Sequence, residues 1–153
     1  MNRRETLRAL AGALAAVPLL AAAAHSAEPS AKAHHIAIQV DTNDAATMNL
    51  ALNNAQNVVD YYTARKEEAA VEIVAYGPGL HMLRADTSPV TARLQSMAKS
   101  LPQLRFSACE NTKRGMEKTE GKPVTLLPEA VVVPAGVVRL MELQEQGWSY
   151  IRP

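Results

Sequence analysis

The stretch QLRFSACENT, residues 103–112, contains the transition that decides the fold. Its first seven residues predict a β-strand, and Asn111 or Thr112 then supplies the N-cap of a short helix that stops at Gly121. The one cysteine of the chain, Cys109, is therefore expected where a strand ends and a helix begins.

Strands and helices alternate on both sides of this stretch. The predicted strands are residues 35–40, 71–76, 103–109, 130–133 and 148–152. Apolar residues at three- and four-residue spacing predict a helix over residues 48–62, and Ser88 followed by Pro89 predicts the start of the next one. The strand at residues 130–133 is entirely apolar, so we expect both of its faces to be covered. This alternation predicts an α/β fold with a parallel sheet between helices.

Composition limits the class of protein. The chain has 153 residues, of which 48% are hydrophobic and 20% charged, as expected for one globular domain. One cysteine excludes an intrachain disulfide and a cysteine-rich zinc or iron–sulfur site. A formal charge of +1, with one Trp, one Phe and four Tyr, argues against nucleic-acid binding.

The N-terminal segment resembles a signal peptide for export. Residues 1–27 have arginines near their start, at positions 3, 4 and 8, followed by a stretch of about 16 apolar residues that ends in small residues. Such a stretch is short for a membrane span. The run RRETLR resembles a twin-arginine signal, although Thr6 stands where Phe is usual. We expect cleavage near Ala24 to Ala27 and a periplasmic mature protein with no membrane attachment; the alternative is an N-terminal membrane anchor. Residues 28–153 hold 13 basic and 14 acidic residues.

Ligands of open α/β sheets gather beyond the carboxyl ends of the strands, where Cys109 is expected. A helix N-terminus beside it favours the thiolate, although free cysteines are more often small buried apolar residues. Gly77 and Gly79 follow the second strand and would let the backbone approach closely, or simply form a tight turn. His81 is a candidate acid, base or ligand, or an exposed turn residue.

Two adjacent histidines invite a metal-site hypothesis. Within a regular strand the side chains of His34 and His35 would point to opposite faces and would not chelate one ion; the alternative is copper or zinc binding by a frayed mature N-terminus. The sequence therefore predicts neither a metal nor an organic cofactor.

Four stretches together resemble the DsrE/DsrF-like family of small sulfur-relay proteins, in its exported, single-domain form. They are VAYGPGL (74–80), FSACENT (106–112), VVPAGV (132–137) and the closing LQ-x-x-GW-x-YI (143–151). The similarity extends over residues 34–153. It implies a three-layer α/β/α fold, flavodoxin-like in layout, with a five-stranded, mainly parallel sheet, and assembly into oligomers. In sulfurtransferase members the cysteine after the third strand carries sulfur as a persulfide, a role that the resemblance assigns to Cys109.

The resulting prediction is a periplasmic sulfur-handling protein. Cys109 would take sulfane sulfur from a donor protein or small thiol and pass it to an acceptor. A pocket of neighbouring residues would surround it: Gly77, Gly79, His81, Asn111 and Thr112. The alternative is a non-catalytic binding or redox-sensing module in which Cys109 is structural. In either case we expect a homo-oligomer, a trimer or hexamer rather than a dimer.

Overall fold

The computed structural model describes residues 33–153, so the predicted export segment 1–27 lies outside the described residues. The five strands of this part are β1 (Ala33–Val40), β2 (Glu68–Ala75), β3 (Leu104–Cys109), β4 (Ala130–Val133) and β5 (Ser149–Ile151). Its α-helices are α1 (Ala45–Thr63), α2 (Thr91–Ser100), α3 (Glu110–Glu120) and α4 (Gly136–Glu145). The five predicted strands are thus confirmed, with β1 and β2 starting two or three residues earlier.

All strand pairs of the sheet are parallel, in the order β4-β3-β2-β1-β5. The first three crossovers step in one direction across the sheet, and the last returns past β1 to its other side. Because such crossovers are right-handed, the last helix must cover the opposite face from the first three. The predicted α/β layout with helices on both faces is therefore correct.

The two faces of the sheet carry different side chains. On the face of α1 and α2, Ile38, Ile73 and Phe106 form the middle of a large apolar core. On the face of α4, a smaller cluster joins Leu140 and Leu143 to the sheet. Buried polar side chains, among them Gln39, Glu72 and Ser107, also occur in the sheet.

Two predicted helix starts were wrong. The N-cap of α3 is Cys109, not Asn111 or Thr112, because the cysteine Sγ accepts the backbone N–H of Thr112 at 3.4 Å. Helix α2 begins at Thr91 rather than at Pro89. Ser88 instead donates its hydroxyl to the carbonyl of Met82 at 2.6 Å, and thereby ties down the preceding loop.

Two further expectations changed. The predicted turn at residues 77–79 is the beginning of a 3₁₀ helix, Gly77–Leu83. Strand β4 is not covered on both faces, since Val131 is 46% and Val132 48% exposed. The reason is the strand order, which places β4 at an edge of the described sheet. None of the helices in residues 33–153 is both long and apolar enough to cross a bilayer.

Candidate functional site

The carboxyl ends of β3 and β4 form a crevice at which the chain changes faces. Helix α3 leaves β3 toward one face of the sheet, and α4 leaves the neighbouring β4 toward the other. Ligands of open parallel sheets bind at such a topological switch point. Cys109 is the last residue of β3 and pairs with Val133, the last residue of β4. The single thiol of the chain therefore lies where the fold opens.

The Cys109 sulfur lies between the N-termini of two helices. It is the N-cap of α3, where its Sγ accepts the N–H of Thr112 at 3.4 Å, and Cys109 pairs with Val133, three residues before Gly136, the first residue of α4. Burial raises the pKa of the thiol, but hydrogen bonds from the Thr112 hydroxyl and from the N–H groups of Gly136, Thr112 and Asn111 outweigh it. The pKa of Cys109 therefore lies below its ordinary value, which favours the nucleophilic thiolate.

Thr112 connects the thiol to the loop after β2. Its hydroxyl oxygen accepts the N–H of Gly77 at 2.9 Å, which leaves the hydroxyl hydrogen for the Cys109 sulfur. Gly77 has φ of +52°, a left-handed conformation that favours glycine. Asn111 joins the two sides of the crevice, because its N–H also donates to the carbonyl of Pro134 at 3.3 Å. The structure thus brings Cys109, Gly77, Asn111 and Thr112 together.

The other two candidate residues have different surroundings. Gly79 packs against the end of β1, where an added Cβ would come within 2.2 Å of the carbonyl oxygen of Val40. His81 pairs through Nδ1 with the Thr87 hydroxyl at 2.7 Å. His81 lines a groove of about 470 Å³ that also includes Thr112. It therefore lies near Thr112 but is not among the groups that lower the pKa of Cys109.

Sequence reasoning did not identify Gly136 as a residue whose N–H helps to lower the pKa of Cys109. An added Cβ on Gly136 would lie 2.8 Å from the Cβ of Tyr76, so glycine allows the N-terminus of α4 to approach the end of β2. The signal was a glycine at the predicted strand-to-helix junction after β4. About 300 Å³ of open space adjoins this junction, lined in part by Val133, Ala135 and Arg139.

A buried carboxylate beneath α4 was also missed. Glu72 accepts two hydrogen bonds from the Arg139 guanidinium, each 2.7 Å, and one from the Ser107 hydroxyl at 2.6 Å. Burial raises the pKa of Glu72, but Arg139, Ser107 and the positive charge of Arg105 lower it further, so the net direction is downward. The group is therefore ionised at neutral pH despite being covered.

The two histidines of β1 have separate partners. His34 Nε2 pairs with Glu67 at 2.6 Å, and its ring stacks on Tyr62, whereas His35 lies beside Trp148. Within residues 33–153, no group of three or more His, Cys, Asp and Glu side chains is placed to hold a metal ion.

Replacing Thr112 with valine is expected to weaken the thiolate, because it removes the hydroxyl that lowers the pKa of Cys109 and that also accepts the N–H of Gly77. The variant loses the hydroxyl bond to Cys109, and one hydrogen bond to an ionised group corresponds to about one pKa unit. The rate of alkylation by iodoacetamide, measured against pH, should have its midpoint below about 8.5 in the wild type and about one unit higher in Thr112→Val.

Thr119→Val is the matched control for this experiment. Thr119 lies on the same helix, but its hydroxyl donates to the carbonyl of Gly115. The role of Thr112 would be contradicted by a wild-type alkylation midpoint at or above the ordinary thiol pKa. It would also be contradicted if both valine variants shifted the alkylation midpoint equally.

Fold and site together define a parallel α/β protein with one thiol at its topological switch point. A model of the DsrE/DsrF-like family matches residues 21–153. Among solved structures, the protein of unknown function MTH1491 from Methanobacterium thermoautotrophicum is 30% identical, with a TM-score of 0.65; the match covers 78% of this chain and 99% of that chain. No curated protein matches.

The chain therefore belongs to the DsrE/DsrF-like family. Membership connects it in general terms with sulfur relay, and proteins of this family generally interact with sulfur-relay partners.

Proposed function

We propose that the protein carries sulfane sulfur as a persulfide on Cys109. The observation that supports this most directly is the position of the sulfur between the N-termini of α3 and α4. The first N–H groups of a helix have no partner within the helix and lie at the positive end of its dipole, so they stabilise an anion. The same groups stabilise the thiolate before attack and when it leaves again.

The proposed transfer needs no net oxidant. The Cys109 thiolate attacks the outer sulfur of a donor persulfide, R–S–SH; a new S–S bond forms at Cys109 Sγ, and the donor S–S bond breaks with its electron pair leaving on R–S⁻. The terminal proton remains on the transferred sulfur. An acceptor thiolate then attacks that outer sulfur, and Cys109 leaves as the thiolate. Neither step needs a metal or an organic cofactor.

Mass spectrometry after mild polysulfide treatment tests this proposal. We expect the wild-type protein to gain the mass of one sulfur atom on the Cys109 peptide, and to lose it when a small acceptor thiol is added. A chain that stays unmodified, or that keeps the sulfur in excess thiol, would refute the carrier role.

A second candidate is a non-catalytic binding or redox-sensing module of the same fold. Cys109 is only 5% exposed and serves as a helix N-cap, which favours a structural role. Sulfur loading separates the two, because a thiol with a purely structural role has no reason to take sulfur from polysulfide and pass it to an acceptor thiol.

We place the carrier in the periplasm. The support is the sequence of residues 1–27, with its basic start, apolar stretch and small residues. Fractionation of cells that express the full chain tests this location; mature protein found with the cytoplasmic fraction would exclude it.

Homo-oligomer formation, as a trimer or hexamer, is also part of the proposal. Large apolar residues are exposed on β4 and α4, namely Val131, Val132, Val137, Val138 and Met141. Val137 and Met141 are one helical turn apart and share a face, so Val137→Glu/Met141→Glu is expected to dissociate the oligomer.

Light scattering of the mature protein measures this effect. The control is Leu50→Glu, which changes a similarly exposed apolar residue on α1 and should leave the mass unchanged. A wild-type mass equal to one chain would refute assembly.

A further inference from the structure

One buried carboxylate joins three elements around the candidate site. Glu72 lies in the middle of β2 and is 1% exposed. Its two oxygens accept from Arg139 on α4, through Nε and Nη2, and from the hydroxyl of Ser107 on β3. Both carboxylate oxygens are therefore bound, and the guanidinium is held in a planar, two-point geometry.

The partners of Glu72 lie on β3, which ends in the thiol, and on α4, which begins close to it. Ser107 stands two residues before Cys109, on the strand that ends in the thiol. Arg139 is in the first turn of α4, three residues after Gly136, and its own N–H donates to the carbonyl of Ala135 at 2.9 Å. The carboxylate thus ties the strand that carries the sulfur to the helix that begins three residues after Val133, the β4 partner of Cys109.

Stability alone is a poor explanation for this arrangement. Burying charged groups is costly because they lose their hydration, and apolar side chains of similar volume often stabilise a fold equally well or better. A bidentate arginine–carboxylate pair instead fixes direction, because the planar fork accepts few orientations. The first turn of α4 contains no side-chain cap that would fix it otherwise.

We infer that Glu72 and Arg139 are positioning residues, which hold the N-terminus of α4 beside Cys109 at the end of β3. The pair acts through α4 and does not touch the reacting sulfur. Its consequence for sulfur transfer rests on the proposed function, but its effect on the thiol does not. The two roles are therefore tested by separate measurements.

The test is the charge-neutral double variant Glu72→Leu/Arg139→Met in the full chain. It removes one charge of each sign, so the net field at the thiol changes little, while the tie between β2 and α4 is lost. We expect the midpoint of the iodoacetamide profile to rise, with up to about tenfold less thiolate at neutral pH, the effect of losing one hydrogen bond to an anion.

A second buried arginine provides the matched control. Arg84 pairs with Glu120 at the far end of α3 and with Asp86, so Arg84→Met/Glu120→Leu also removes a buried arginine and a carboxylate partner without changing the net charge. This control is expected to change the unfolding midpoint but not the alkylation midpoint. Equal alkylation shifts in both double variants would overturn the positioning role.

Arg139→Lys keeps the experiment decisive if the double variant does not fold. Lysine retains the charge but not the two-point geometry, so we expect a smaller rise of the alkylation midpoint. A folded Arg139→Lys protein with the wild-type midpoint would overturn the inference. Sulfur loading of the wild type by polysulfide is measured separately. If the alkylation midpoint shifts in the variants but the wild type takes up no sulfur, the carrier role is refuted and the positioning role is retained.

Discussion

Cys109→Ser protein is expected to acquire no sulfur from polysulfide, while the wild type becomes loaded. A hydroxyl does not form a persulfide under these conditions, so the loss should be complete rather than partial. The fold should survive, because serine is a preferred N-cap residue and its Oγ can accept the Thr112 N–H that the sulfur now accepts. Mass spectrometry of the treated protein and a thermal unfolding curve measure the two results.

Cys109→Ala supplies the structural control. Alanine removes the cap as well as the thiol, and loss of an N-cap costs about 0.5–2 kcal/mol. The alanine variant should therefore be less stable than the serine variant, although neither loads sulfur. Sulfur found on the serine variant would refute the carrier role, and a serine variant that barely folds would favour a buried apolar role for Cys109.

The stability difference between wild type and Cys109→Ser should depend on pH. The pKa of Cys109 is lower in the folded protein than in the unfolded chain, so the folded state binds fewer protons between those two values. The contribution of the thiolate is fully present above the unfolded value of about 8.5 and is lost as the pH falls through the folded pKa. The unfolding midpoint of wild type relative to serine should therefore rise with pH across this window.

The fold was predictable because its signals are local. Each strand is a short apolar run followed by turn or cap residues, and strand-to-helix alternation admits few topologies. Cys109 could be placed at a strand end for the same reason. Its role as the helix cap could not, because sulfur is not among the usual capping atoms and Asn111 and Thr112 are stronger candidates.

The parts of the site that the sequence did not predict depend on contacts between residues far apart in the chain. Glu72 is the one acidic residue of the predicted strand 71–76, and its partner Arg139 follows 67 residues later. No periodicity connects two such positions. The exposure of Val132 has the same origin, since an apolar run indicates burial but does not reveal that its strand lies at the edge of the sheet.

Gly79→Ala is expected to destabilise the protein more than any other single methyl group added at the sites described above. The new Cβ would lie 2.2 Å from the carbonyl oxygen of Val40, 2.5 Å from its carbon and 2.7 Å from the nitrogen of Asp41. All three are backbone atoms of the chain leaving β1, so no flexible side chain can move away. Overpacking of this kind costs about 3 kcal/mol or more, which urea denaturation measures as a lower unfolding midpoint.

Gly115→Ala separates this steric effect from the general effect of replacing glycine. Gly115 lies within α3, and an added Cβ there meets no atom within 4 Å. Alanine should stabilise this helix by about 0.5–1 kcal/mol, the opposite sign to the change at Gly79. If Gly79→Ala instead folded with nearly wild-type stability and lost only sulfur loading, Gly79 would be a pocket residue, as its place after the second strand first indicated. A large loss of stability would mean that the small size of Gly79 allows the 3₁₀ helix to pack against the end of β1. This packing also positions Gly77, whose N–H donates to the hydroxyl of Thr112 beside the thiol.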